Sequence, residues 1–339
     1  MTDFSIFDEQ YYLNAYPDVR AIVNSGLIGS GLEHFKRFGL QEGRTQVSRY
    51  YDESIYLASY NDVDRSVKTG AFVSGLQHFI RYGFEERRTR ISPSYNEAFY
   101  LRSNPDVLDA VRQNKLINGL QHFLKFGLTE GRASSSFVES VYLKNNPDVK
   151  DLVERYAYKT GFDHYLQVGQ FERRPGTFSG TRASDSIVAG GALTEFARLT
   201  GVEVAFSPLG ANPSDKALFF KSTGVGEVDI LTGSPGKDNF YLGGQSAFIG
   251  ATPVKFYQGQ GVNDYALIKN FDQVQDELIL PGGVNEYTFQ PIGQDLNIFS
   301  ASGDLMAIVE GRTQMQATPE KISNITDPFL FNAQVTVLR

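Results

Sequence analysis

The sequence predicts a chain of two parts, an α-helical repeat array followed by an all-β domain of β-roll or sandwich type. Three observations predict it. One motif recurs four times within the first 176 of 339 residues. A run rich in Gly, Ser, Thr and Pro follows it. Beyond that run, short strand-like segments alternate with Gly, Asn and Asp. The expected boundaries are an array over 1–176, a linker over 177–186 and a β domain over 187–339.

Internal periodicity comes first, because it decides the architecture. Segments YYLNAYPDV, IYLASYNDV, FYLRSNPDV and VYLKNNPDV place Tyr12, Tyr56, Tyr100 and Tyr142 at spacings of 44, 44 and 42. A second block, GLEHFKRFGLQEGR, GLQHFIRYGFEERR, GLQHFLKFGLTEGR and GFDHYLQVGQFERR, spaces His34, His78, His122 and His164 identically. These are the chain's only histidines. Each unit closes on an arginine: Arg44, Arg88, Arg132 and Arg174.

Each unit reads as three short helices. In the first, Asp8 can cap a helix carrying Tyr11, Tyr12 and Leu13. Pro17 suits a helix start, where its missing N–H costs nothing, and Asp18 adds favourable charge there. Val19, Ile22 and Val23 form one apolar stripe, and Gly26 ends it. Leu32, Phe35 and Phe38 are expected on one face of the third helix, with Gly39 as a left-handed cap. One unit cannot bury its apolar face alone, so the units should stack into a short solenoid.

The histidines admit two readings. Histidine is the commonest transition-metal ligand, but no second histidine or cysteine is present in any unit. Packing, with ring nitrogens bonded to backbone or to a carboxylate, is the preferred reading. The closing arginines are expected to tie each unit to the next, for example through Asp62. This first half resembles the short "NPDV … HF … G … EGR" helical repeat of secreted and surface proteins of cyanobacteria and some other bacteria. That repeat carries no defined activity to transfer.

The segment from Arg173 to Ser186 reads as linker. After it, VEVAF (Val202–Phe206), ALFF (Ala217–Phe220), VKFY (Val254–Tyr257), YALI (Tyr265–Ile268), ELIL (Glu277–Leu280), LNIF (Leu296–Phe299), LMAIV (Leu305–Val309) and VTVL (Val335–Leu338) read as strands. ALTEFARL (Ala192–Leu199) reads as a possible helix. Within this half, Gly233-Ser234-Pro235-Gly236-Lys237-Asp238-Asn239-Phe240-Tyr241 matches the G-G-x-G-x-D-x-U-x nonapeptide with one lapse, Ser234. Its glycines would allow positive φ, and its aspartate offers oxygen to a hard cation. Asp229 precedes Asp238 by nine residues, the spacing of one turn. Weaker echoes flank the nonapeptide: Asp185-Ser186-Ile187-Val188 before Gly190-Gly191, Gly224-Val225-Gly226 leading to Asp229-Ile230-Leu231, and Gly259-Gln260-Gly261-Val262-Asn263-Asp264 before Tyr265-Ala266-Leu267.

GSPGKDNFYLGG, NDYALIKNFDQVQDELIL and DLNIFSASGDLMAIVEG together resemble the C-terminal end of RTX (repeats-in-toxin) domains. That resemblance implies a β-roll whose turns bind calcium, here through Asp229, Gly233, Gly236, Asp238, Asn263, Asp264, Asp272 and Asp276. It also implies type I export through an uncleaved C-terminal signal. A single good nonapeptide departs from the family pattern. The bland alternative is a degenerate roll whose glycines and aspartates only turn the chain.

Composition narrows the function classes. Residues 1–176 carry 22 basic and 22 acidic side chains, and residues 177–339 carry 10 and 17, so the whole charge of −7 lies in the second half. No net basic field exists to attract nucleic acid. With no cysteine, thiolate metal sites and cysteine nucleophiles are excluded. No apolar run approaches membrane-spanning length, and no secretory leader is read at the N-terminus. No P-loop, H-E-x-x-H or G-x-S-x-G appears. The expectation is a non-enzymatic extracellular or cell-surface structural or interaction protein with a calcium-responsive β domain. Its partner would be a protein, a surface polysaccharide or another copy. The alternatives are a subunit of a surface layer or filament, a carbohydrate-active enzyme with its site in the β domain, and a cytoplasmic location.

Overall fold

The computed structural model describes residues 2–208, 216–245, 252–322, 327–330 and 333–339. It forms two compact units, Met1–Ser135 with Asp148–Asp163, and Ser136–Pro147 with His164–Arg339. Helices occupy the N-terminal region and strands the C-terminal one. No described helix is long and apolar enough to cross a membrane.

Each repeat builds three α-helices. In the first these are α1 (Glu9–Ala15), α2 (Pro17–Asn24) and α3 (Gly31–His34). The second has α4 (Glu53–Ser59), α5 (Asn61–Lys68) and α6 (Gly75–His78). The third has α7 (Glu97–Ser103), α8 (Pro105–Arg112) and α9 (Gly119–His122), and the fourth α10 (Glu139–Asn145), α11 (Pro147–Glu154) and α12 (Gly161–His164). The caps follow the sequence. Asp8 accepts from the Tyr11 N–H, Pro17 opens α2, and Gly26 beyond its end takes φ +77°. Ser30 caps α3, and Glu9 reaches across from α1 to accept from the N–H groups of Gly31 and Leu32.

The third helix departs from expectation. After His34 it widens into a π turn, Phe35–Gly39, with the Leu40 N–H bonded to the Phe35 carbonyl. This recurs in all four repeats. Widening rotates the face, so Phe35 is buried while Phe38 is 42% exposed. Gly39 is not the left-handed residue; Gly43 is, at φ +72°. Gly39 is needed because a Cβ there would run into the Tyr12 hydroxyl, as it would at Gly127 under Tyr100.

The first unit is not a simple solenoid either. Its core joins Tyr12, Phe35, Tyr56, Phe79, Tyr100 and Phe123. Tyr50 packs on Phe123 at 5.0 Å between ring centres, and Tyr11 on Tyr156 at 6.0 Å. Lys159 Nζ lies 2.8 Å from Asp52. The first copy and the segment after it thus meet the third and fourth, whereas a solenoid repeat touches only its neighbours.

The second unit is dominated by two sheets. One contains β1 (Gly176–Gly180), β3 (Phe196–Pro208), β6 (Lys237–Tyr241), β10 (Glu277–Pro281), β15 (Ala333–Leu338) and β14 (Ala317–Ile322) in that order, with β4 (Lys216–Phe220) paired to β3. The other runs β11 (Tyr287–Ile292), β12 (Asp295–Ser300), β13 (Leu305–Val309), β9 (Tyr265–Lys269), β5 (Val228–Thr232) and β2 (Ser186–Val188). A short pair, β7 (Gly243–Gly244) and β8 (Val254–Lys255), lies outside them. The β1–β3–β6–β10 pairings are all parallel, as are β2–β5–β9–β13. The chain therefore alternates between the sheets, β1, β2, β3, β5, β6, β9, β10, β13, in a parallel roll of four coils. Antiparallel strands extend the last coil in each sheet.

Two sequence expectations fail here. The presumed linker 177–186 contains most of β1, buried along its whole length. Its Gly and Thr content suits close packing rather than flexibility. A Cβ at Gly176 would meet the Tyr165 ring at 2.6 Å, and one at Gly180 would strike the Gly201 carbonyl. Ala192–Leu199 is not helical; it turns at Glu195 and enters β3 at Phe196.

Candidate functional site

A roll that alternates between two sheets has two rows of turns, and the acidic residues gather in them. Where the chain leaves β2, β5 and β9 for the other sheet stand Glu195, Asp238 and Asp276, all buried. At the opposite turns, entering β2, β5 and β9, stand Asp185, Glu227, Asp229 and Asp264, also buried.

Most of these carboxylates clamp backbone. Asp276 Oδ1 accepts from the Asp238 N–H at 2.8 Å and Oδ2 from the Asp272 N–H at 2.8 Å. Asp229 Oδ1 accepts from the Asp185 N–H at 2.8 Å and Oδ2 from the Tyr257 hydroxyl at 2.7 Å. Glu195 accepts from Gly190 N–H, Gly191 N–H and the Tyr165 hydroxyl. Asp238 Oδ2 accepts from the Ser234 N–H at 2.6 Å, and Asp264 Oδ2 from the Gly226 N–H at 3.2 Å. The bonds of Asp276, Asp229 and Asp264 reach from one coil to the next, so these three acids each pin a neighbouring turn, while Glu195 and Asp238 close their own.

Three buried carboxylate oxygens have no partner among the described residues: Asp238 Oδ1, Asp264 Oδ1 and Glu227 Oε2. Burial, then the neighbouring Asp229 and Asp185 carboxylates, pushes Glu227 up to about 8. Burial and then Asp276 push Asp238 up to about 8, and burial raises Asp276 to about 6. At about 8 the Glu227 and Asp238 carboxyls are mainly neutral at pH 7, whereas Asp276 is mainly ionised, and an opposing positive charge would return the neutral two to the ionised form.

The structure separates the expected site residues. Gly233, Gly236, Asp238, Asp272 and Asp276 belong to one row of turns, and Asp229, Asn263 and Asp264 to the other. The coils that carry Asp238 and Asp276 are 38 residues apart rather than two nonapeptides, whereas β1 and β3 pair at the shorter spacing of Gly176 with Ala197. Gly233 and Gly236 do not take positive φ. They are small because a Cβ at Gly236 would meet the Glu195 carbonyl at 2.6 Å, and one at Gly233 the Asp238 carboxylate at 2.9 Å. In the weaker echoes, by contrast, Gly191, Gly224, Gly226, Gly259 and Gly261 do take positive φ. Asp272 binds its own loop at the Val274 N–H, and the Asn263 amide donates to the Gln260 carbonyl. Glu195 and Glu227 escaped the nonapeptide pattern, and Asp185 showed only in a weak echo of it. A weak signal existed, an acid just before each apolar strand start.

A hard cation takes roughly six to eight oxygens. Among the described residues, no three acidic or histidine side chains form a metal-holding group. The donor chemistry still fits such a cation, being all oxygen and anionic. It fits best at Glu227 and Asp264, which flank the paired residues Val228 and Tyr265 and each keep one open oxygen.

In the repeats each histidine meets a tyrosine hydroxyl. Nδ1 of His34, His78, His122 and His164 meets the hydroxyl of Tyr12, Tyr56, Tyr100 and Tyr142 at 3.0, 3.0, 2.9 and 2.9 Å. The closing arginines act within their own unit. Arg44 forks onto Asp18, Arg88 onto Asp62 and Arg132 onto Asp106, each also bonding a glutamate two residues earlier. Arg174 bonds Glu172 and Asn146. No protein-family model matches the chain, and no curated protein matches it.

Proposed function

We propose that this is a non-enzymatic protein of the cell surface or extracellular space. In this reading the helical repeats are the interaction surface, and the roll is a module whose folding responds to calcium. The observation that carries it is the parallel roll with buried carboxylates at its turns, three of them with an open oxygen. Calcium held by Glu227 and Asp264, with Asp238 as a second point, would compensate charge that burial otherwise forces into the neutral form. The four histidines support a structural role, because each makes the same bond to a tyrosine of its own repeat.

The test is calcium added to the chelated full chain. Calcium bound by the folded state alone stabilises it by about 2.7 kcal/mol at 100 times its Kd. The melting temperature of the roll should rise with calcium, and Glu227→Gln with Asp264→Asn should abolish the rise. Equal melting with chelator and with calcium overturns the calcium reading. Finding the protein in washed lysate, with none in the medium or surface fraction, overturns the location.

A further inference from the structure

A second feature of the roll is positively charged, against the acidic balance of its half of the chain. A cavity of about 370 Å³ opens where β3 and β6 begin, lined by two cations, Arg173 and Lys237, one acid, Glu195, and Leu193, Phe196 and Val274 among others. Leu193 and Val274 stand almost bare at its rim, 78% and 91% exposed. Phe196 carries two cations on its ring, the Arg198 guanidinium at 5.1 Å and Lys237 Nζ at 5.7 Å.

Arg198 is the unusual group. It is 7% exposed, and its Nε and Nη1 have no hydrogen-bond partner among the described residues. Arginine stays charged in proteins, and a buried charge without a counter-ion costs several kcal/mol. Its strand neighbours Thr177 and Asn239 also hold buried oxygens without partners, as does Thr200. The nearby carboxylates are otherwise engaged. Glu195 accepts from two backbone N–H groups and Tyr165, and Glu277 is shared by Lys237 at 3.3 Å and Arg339 at 2.6 Å.

Arg173 adds a third cation and a backbone clue. It takes φ +58°, the left-handed region that side chains disfavour. The equivalent position is Gly43 in the first repeat, Arg87 in the second and Gly131 in the third, all left-handed. Here, as in the second repeat, the position carries an arginine, and this one lines the cavity.

We propose that this cavity binds a small ligand through an oxyanion, a carboxylate or a phosphate. Arg173 and Lys237 would meet the anion directly, with Leu193, Phe196 and Val274 against the ligand's body. Arg198 contributes field from behind Phe196, where low dielectric strengthens it. The site is independent of the calcium reading, since it uses none of the same side chains.

The test is binding of three probes to the full chain by titration calorimetry: glucuronate, inorganic phosphate and, as the neutral control, glucose. At least one oxyanion probe should bind saturably below about 10 mM, while glucose does not. Preference between the two identifies the carboxylate or the phosphate source. Arg173→Gly, which restores the residue of two other repeats, should weaken binding roughly tenfold or more with an unchanged melting temperature. Arg198→Met should weaken it too, and should raise the melting temperature of the free protein by removing the unpaired charge. No saturable binding of either oxyanion, equal binding by glucose, or unchanged affinity in Arg173→Gly overturns the proposal.

Discussion

The helical repeats and the roll bury polar groups in opposite ways. The repeats bury neutral pairs, tyrosine hydroxyl on histidine, and keep Asp18, Asp62 and Asp106 more than half exposed outside. The roll buries carboxyls and lets them grip the backbone of the next coil. Repetition does the holding in both regions, but the ionisable group differs, so the two should answer pH with opposite sign. Histidine held neutral by burial resists acid protonation; carboxyl held neutral by burial resists ionisation.

The largest effect is expected in the roll at alkaline pH. Glu227 and Asp238 lie near 8 in the folded chain, against about 4 in the unfolded one. A raised folded value gives stability that is full below the unfolded value and lost as pH climbs through about 8. Without calcium, melting of the roll should fall by about 5–10 °C between pH 5 and pH 9. Hydrogen exchange of its strand peptides reads this separately from the helices. Glu227→Gln and Asp238→Asn should flatten the slope, the new amide placing a donor where the open oxygen stood. A roll as stable at pH 9 as at pH 5 would contradict the burial argument.

What the sequence revealed follows from range. The repeat, its caps and eight strands are local patterns, and Asp8, Pro17, Tyr265–Ile268 and Leu305–Val309 can be read from a few neighbours. The π turn was not legible, because Gly39 answers to Tyr12, a contact 27 residues away. Nor was β1, whose Gly and Ser are the marks of both a linker and a tightly packed strand. The turn acids were half visible. Asp238 sits in a motif, but its partner Asp276 lies one coil on, and Glu195 was hidden inside a helix-like string.

The next largest effect tests the glycine under the tyrosine. Gly39→Ala or Gly127→Ala puts a methyl against the hydroxyl that holds His34 or His122. Forced overpacking costs about 1–3 kcal/mol, and the displaced tyrosine also loses its bond. Urea unfolding followed at the helical circular dichroism band should show it. Gly26→Ala makes the control: a Cβ there meets nothing within 4 Å, so only the positive φ is strained. If both cost the same, close approach is not why Gly39 is glycine.

The smallest effect isolates the hydrogen bond itself. Tyr56→Phe keeps the ring packed between Tyr60 and Phe79 and removes only the donor to His78 Nδ1. A lost buried hydrogen bond should cost about 1 kcal/mol at neutral pH. The pH dependence distinguishes this bond from simple packing. Burial holds His34, His78 and His122 below their ordinary value of 6.5. A depressed folded value gives stability that is present above the unfolded value and lost as pH falls, so the repeats should weaken below about 6.5. Protonation also turns Nδ1 from acceptor to donor, so the tyrosine hydroxyl loses its acceptor and must turn to accept from the imidazolium instead. In Tyr56→Phe that rearrangement is absent for one histidine of the four, so the penalty should shrink as the pH is lowered from 7 to 5. A penalty that stays constant over this range would mean that His78 keeps its neutral form throughout, and the opposed pH response of the two regions would then rest on the roll alone.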